Sequence, residues 1–98
     1  MEYQTGIREE VIREIISLAE KYGLCRVILF GSRARGDYRD TSDIDLAVSG
    51  GNITEFSLAV EDETSTLLKF DIVNMDGAVQ EELLSSVQKE GRVMYEKI

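Results

Sequence analysis

The sequence predicts a small α/β (α+β) domain in which a mixed β-sheet is backed by helices on one face. Three observations predict it. Four short apolar, β-prone runs occur at Leu24–Phe30, Ile44–Val48, Leu67–Asn74 and Val93–Tyr95. Three longer stretches with apolar residues at three- and four-residue steps lie around and between them. Glycine, asparagine and serine fall at the junctions, and the chain has no proline to interrupt an element. The order is α-β-turn-β-α-β-α-β over residues 1–98, read as one domain with one modest core. The pattern leaves the strand order open.

The first helix is expected over Thr5–Tyr22. Ile7, Val11, Ile15, Leu18 and Tyr22 form its stripe, widened by Ile12, Ile16 and Ala19. Thr5 suits an N-cap and Gly23 the position after the helix. Leu24–Phe30 follows as a strand, with Cys25 as a small core residue. Gly31 ends it. The second strand carries Asp43 and Asp45, and Ser49-Gly50-Gly51 turns the chain. Asn52 and Glu55 resemble a capping pair for a helix to about Thr66. Glu61-Asp62-Glu63 reads as a solvated helix end. Leu67–Asn74 is the third strand. Asp76 is placed to cap a last helix from Gly77 to Glu90 on Val79, Leu83, Leu84 and Val87, ended by Gly91 before a short final strand.

Composition narrows the function. The net charge is −8, from 19 acidic and 11 basic residues. A chain so acidic lacks the lysine and arginine surface that nucleic-acid phosphates require. It suits a basic protein partner instead. No run approaches the roughly 20 apolar residues of a membrane span. Met1-Glu2-Tyr3-Gln4 lacks the basic and apolar regions of a secretory leader, and the single cysteine allows no internal disulfide. A cytoplasmic location is expected, with no membrane partner.

The chemistry concentrates between Val27 and Val48. Side chains alternate along a strand, so Asp43 and Asp45 share one side and Ile44, Leu46 and Val48 the other. Two carboxylates about 5 Å apart repel by roughly 3 kcal/mol at an effective dielectric of about 20. That is a large part of the usual margin of about 5–15 kcal/mol. A hard divalent cation such as magnesium removes the penalty and prefers oxygen ligands. Asp71 interrupts the apolar third strand, where a buried carboxylate is costly unless paired or bound to metal. If that strand lies beside the second, Asp71 joins the pair; Asp76, in the turn beyond, competes for that role although it looks more like a helix cap. Upstream, Gly31 lets the backbone turn sharply beside a ligand. Ser32 adds a hydroxyl, and the amides after it suit phosphate oxygens. Arg33 and Arg35 add guanidinium groups of the kind that bind phosphate. Arg39 completes the one local basic cluster, which fits a triphosphate better than a duplex.

Gly31-Ser32, a ten-residue spacer from Arg33 to Ser42, then Asp43-Ile44-Asp45 resembles the motif of the DNA polymerase β-like nucleotidyltransferases. The wording Gly-Ser-Arg-Ala-Arg-Gly and Ser-Asp-Ile-Asp-Leu is similar to that of the minimal nucleotidyltransferases, the MNT antitoxins paired with HEPN toxins. The resemblance implies a polymerase β-like fold. It implies that Asp43, Asp45 and Asp71 are catalytic and hold two Mg²⁺ ions, with Asp71 drawn from the strand after the aspartate pair. It places Gly31, Ser32, Arg33, Arg35 and Ser42 in the nucleotide site, with ATP as donor. Because larger relatives carry acceptor-binding domains, it also implies an acceptor that brings its own surface: a tyrosine of a cognate HEPN ribonuclease toxin. Tyr38, between the motifs, is read as a loop residue rather than a modification site. Two other functions remain open on the residues: an antitoxin that acts by binding alone, and a transferase for small-molecule acceptors.

Overall fold

The computed structural model describes residues 4–97. Met1, Glu2 and Tyr3, on which the leader reading rests in part, lie outside that range. Helix α1 (Glu9–Lys21) turns Val11, Ile15, Leu18 and Ala19 inward. It ends on Gly23, at φ +69°, where the Gly23 amide donates to Glu20 O at 3.2 Å and the Leu24 amide to Ala19 O at 2.9 Å. This paired bonding satisfies carbonyls of the last turn and aims the chain into the sheet.

Among the described residues the sheet has four strands in the order β3-β2-β1-β4: β1 (Arg26–Phe30), β2 (Ile44–Ser49), β3 (Phe70–Asn74) and β4 (Arg92–Glu96). β1 runs antiparallel to β2 and β4, whereas β2 and β3 are parallel. The parallel pair needs a crossover, which helix α3 (Ile53–Glu63) supplies. Between β1 and β2 lies the four-residue helix α2 (Ser32–Arg35). Helix α4 (Glu81–Glu90) precedes β4.

The main core gathers Val27 and Leu29 of β1, Ile44, Leu46 and Val48 of β2 and Phe70 of β3 under α1 and the Phe56, Ala59 and Val60 face of α3. Ile28, Phe30, Ala47 and Val73 point the other way and pack with Leu83 and Val87 of α4. Helices therefore flank both faces, which corrects the expectation of one. The cause lies in the unbroken apolar run Val27-Ile28-Leu29-Phe30, which must be covered on both sides.

Other local expectations change. Thr5 does not cap α1; the helix begins at Glu9 with Arg8 before it. Thr5 is buried, its hydroxyl oxygen accepts from the Ile7 amide at 3.2 Å, and its carbonyl is used elsewhere. Cys25 is exposed just before β1 rather than part of the core. Asn52 does cap α3, with Oδ1 accepting from the Glu55 amide at 3.2 Å, but its own amide donates to Tyr22 O at 2.9 Å instead of to Glu55. The helix stops at Glu63 and β3 starts only at Phe70. Asp76 does not cap α4, which begins at Glu81; its Oδ2 accepts from the Gly50 amide at 2.7 Å. Leu84 is exposed, so Leu83 and Val87 carry that helix's contact.

The 64–69 connection is pinned at both ends. The Ser65 amide and hydroxyl donate to the Glu14 carboxylate at 2.8 and 2.7 Å, and Arg8 donates to Ser65 O. These bonds hold Glu14, the Ser65 amide foremost, below the usual carboxylate range. At the other end Lys69 O accepts from the Ile44 amide at 2.9 Å.

Gly51 seats the start of α3 on the end of α1. It has φ +65°, and a β-carbon there would lie 2.5 Å from Tyr22 O and from the Gly23 carbonyl. Gly51→Ala is expected to lose at least about 2 kcal/mol in urea unfolding, from backbone strain plus overlap. Gly36→Ala, at φ +95° with open space around it, is expected to lose about 1–2 kcal/mol from strain alone.

Candidate active site

Strand register assembles the site. Asp45 is paired with Phe30 on one side and with Asp71 on the other. The residue after Phe30 is Gly31, at φ +76° and ψ −159°. Asp45 Oδ2 lies where a β-carbon on Gly31 would stand. Both the backbone angle and the close approach therefore require glycine. Asp71, in register with Asp45 on the neighbouring parallel strand, projects from the same face. Asp43 precedes β2 by one residue and shares that face, because Ile44 and Leu46 fill the core.

Asp43 and Asp71 are exposed, and Asp45 is half-buried. The expectation of a buried carboxylate at Asp71 is thus corrected. β3 is an edge strand, and α4 makes its main contact with β1, reaching β3 at Val73. Burial pushes the Asp45 carboxyl up to about 6, reinforced by the negative charges of Asp71 and then Asp43 and opposed by Arg35 and Arg33. Among the described residues no three His, Cys, Asp or Glu side chains are already gathered in a metal-holding arrangement. The three aspartates form an open cluster. Its oxygen-only donors and its uncompensated charge at Asp45 fit a hard divalent cation.

The flanking residues divide into two groups. Ser32 opens α2, whose Ala34 and Arg35 amides return to Gly31 O at 3.1 Å each. The amides of Ser32 and Arg33, as the first of a helical turn, have no acceptor within it. Arg35 is exposed and pairs with Asp37 at 3.2 Å and with Glu90 of α4 at 3.0 Å. Arg33 differs: it is 1% exposed. Its guanidinium donates to Ser42 O at 3.0 Å, Thr5 O at 2.9 Å, Asp40 O at 3.2 Å and Arg39 O at 3.4 Å. It also lies over the Tyr38 ring, 5.0 Å from the centroid. Ser42 Oγ accepts from the Arg39 amide at 2.8 Å. Arg33 and Ser42 thus shape the 36–42 loop that delivers Asp43, and Tyr38 is part of that packing.

On the β3 side, a cleft of about 470 Å³ opens beside Asp43, walled by Thr41, Leu67, Leu68 and Lys69. Of the three carboxylates, Asp43 borders this hollow, while Asp45 lies against Gly31.

A family model described as "Polymerase beta, Nucleotidyltransferase" matches residues 13–98. The chain belongs to the polymerase beta nucleotidyltransferase family. The nucleotidyltransferase is similar to a Methanocaldococcus jannaschii protein named "Putative protein adenylyltransferase", 36% identical over 99 residues, which cover 89% of this chain and 97% of that one. Among solved structures it is similar to a toxin-antitoxin crystal structure with AMP-PNP, at 26% identity and a TM-score of 0.70, covering 88% of this chain and 73% of that one. It is also similar to a structure named "putative minimal nucleotidyltransferase", at 32% identity and a TM-score of 0.64, covering 83% and 86%. The family resemblance read from the motif is borne out. Among the described residues of the nucleotidyltransferase, no helix is long and apolar enough to cross a membrane.

Residues outside the motif also shape this site. Glu90 holds Arg35 from 55 positions away, and nothing in the sequence signals that pairing. Thr5 lends its carbonyl to Arg33, a use of backbone that residue type does not reveal. Leu67 and Leu68 read as strand and instead wall the cleft.

Two outcomes follow for the nucleotidyltransferase. With a folded value of about 6 against an ordinary 3.8, Asp45 binds protons more tightly in the folded state. Stability therefore falls as pH rises from about 4 to about 6, and the cost is complete above that. Asp45→Asn is expected to be more stable than the parent by about 1 kcal/mol at pH 7.5 in divalent-free buffer, allowing for partial exposure. It should show no advantage at pH 3.5, by thermal unfolding at both pH values. Arg33→Met strands the carbonyls that Arg33 serves and should cost about 2–4 kcal/mol in the same assay.

Proposed function

We propose that this nucleotidyltransferase is a magnesium-dependent protein adenylyltransferase that acts as an antitoxin. It transfers AMP from ATP to a tyrosine hydroxyl of a partner toxin, a HEPN ribonuclease. The observation that carries the reading is the position of Asp45, pressed on Gly31 at one side and beside Asp71 at the other. The glycine turn and the carboxylates are thereby brought together, and an open cleft begins at Asp43. The relative named as a protein adenylyltransferase and the similar toxin-antitoxin structure with AMP-PNP support the donor and the setting.

The chain's own residues divide the work. Gly31 and the amides of Ser32 and Arg33 bind the terminal phosphates, with the Ser32 hydroxyl beside them. Arg35 turns its guanidinium from Glu90 and Asp37 towards phosphate charge. Arg33 and Ser42 serve the nucleotide through the loop they hold. Asp43, Asp45 and Asp71 would hold magnesium, which neutralises the triphosphate and lowers the pKa of the acceptor hydroxyl. The acceptor oxygen forms a bond to the α-phosphorus, and the bond to the α–β bridging oxygen breaks. Pyrophosphate leaves, and the hydroxyl proton passes to the carboxylate cluster at Asp71. Catalysis of this kind rests on positioning and electrostatics.

The test is the double variant Asp43→Asn/Asp45→Asn with the proposed partner toxin and labelled ATP. AMP transfer should fall by at least about 10³-fold, while co-purification with the toxin persists. Transfer at the parent rate contradicts the mechanism. Full neutralisation of the toxin by the variant would point instead to an antitoxin that works by binding alone.

A further inference from the structure

The segment Leu67–Lys69 separates two hollows. The cleft of about 470 Å³ reaches Asp43. On the other side lies one of about 360 Å³, completed by Glu61 and Thr66. Leu67 stands fully exposed between them. This is not a loose loop. Ser65 is tied to Glu14 and Arg8, the Leu68 amide donates to Thr66 Oγ1 at 3.1 Å, and Lys69 O is bonded to the start of β2. A large apolar side chain is thus presented to solvent on fixed backbone, beside concave surface. Each hollow is lined by one acid and by Lys69, and the flank beyond is acidic: Glu61, Asp62 and Glu63 are all exposed at the end of α3. None of the described residues lining either hollow is aromatic, so neither offers a base the ring it would stack on.

We infer that this divided groove is the docking site of the acceptor polypeptide: a basic segment that packs an apolar side chain on Leu67 and sends a neighbouring hydroxyl side chain through the larger cleft to Asp43. The inference rests on the proposed transfer to a protein hydroxyl. Charge selects the occupant. The acidic end of α3 attracts lysine and arginine on the segment and repels an acidic one, and the chain's net charge of −8 acts in the same direction. Leu67 supplies the apolar anchor, and the pinned backbone means that binding orders little of this protein.

The test uses the full chain and two fluorescein-labelled peptides, Lys-Arg-Leu-Gly-Tyr-Lys-Arg and Glu-Asp-Leu-Gly-Tyr-Glu-Asp, with anisotropy for binding and labelled ATP for transfer. The basic peptide should bind at least about tenfold more tightly than the acidic one. Leu67→Glu, a change at a fully exposed position, should weaken the basic peptide about tenfold and leave AMP-PNP affinity within about twofold. Glu61→Lys/Glu63→Lys should erase the preference between peptides. Equal binding of both peptides, or no effect of Leu67→Glu, overturns the inference. So does a loss of AMP-PNP affinity in Leu67→Glu with peptide binding intact, which would assign the cleft to the nucleoside. Leu67-dependent binding with no AMP transferred upholds the docking site and counts against the transferase reading. Transfer that ignores Leu67 does the reverse.

Discussion

The Asp45 carboxylate rests on the bare backbone of Gly31, with Asp71 in register beside it and Asp43 two residues away. The chain holds this charge in place because it has no alternative register. Ile44, Leu46 and Val48 are completely buried on the other face of the same strand. A slip of one residue would send those side chains to solvent and the aspartates into the core. Hydrophobic packing on one face thereby holds the carboxylates together on the other, and burial of Asp45, reinforced by the charges of Asp71 and Asp43, raises its pKa to about 6. A cation and a nucleotide's phosphates on that face would resolve it.

The placement of the helices decides where the site opens. α1 and α3 cover the face that carries Leu29 and Leu46, while α4 covers the Phe30 and Ala47 side near β1. The Asp43 and Asp71 end is left uncovered beside the edge strand β3. Arg33 then fixes the chain between Gly36 and Ser42 by bonding to carbonyls on both the loop and the N-terminal segment. A guanidinium buried among carbonyls and stacked on Tyr38 is a strong local constraint. It makes the path from the glycine turn to Asp43 a fixed span rather than a mobile one. The arginine next along, Arg35, stays exposed and is free of such backbone duty.

Much of this was readable in the sequence, and the reasons differ by element. The order of elements follows from periodicity, β-prone runs and junction residues together, and the Gly23 helix end from residue type. The side shared by Asp43 and Asp45 followed from strand alternation. The pairing of β2 with β3 had to be assumed, because strand order is a tertiary choice. The four-residue apolar run in β1 carries a signal for α4 on the second face, but helix periodicity alone does not say which face a helix covers. Thr5 reads as a cap because a threonine before a helical stripe usually caps; in the fold it is buried and its carbonyl serves Arg33. The division of labour between Arg33 and Arg35 was invisible, since it depends on which guanidinium meets backbone carbonyls after folding. Leu67 and Leu68 looked like strand because their composition is that of strand, and only the bonds from Ser65 and Lys69 show them as a wall.

Manganese titration of the ¹⁵N-labelled protein tests the role of the Asp45 cluster at its root. Sub-stoichiometric Mn²⁺ broadens the amides nearest the bound ion. The account predicts that signals of Gly31, Ser32, Asp43, Asp45 and Asp71 broaden first and together, and that Asp45→Asn removes the effect. Broadening confined to Glu61, Asp62 and Glu63, or spread evenly over the acidic surface, would contradict it.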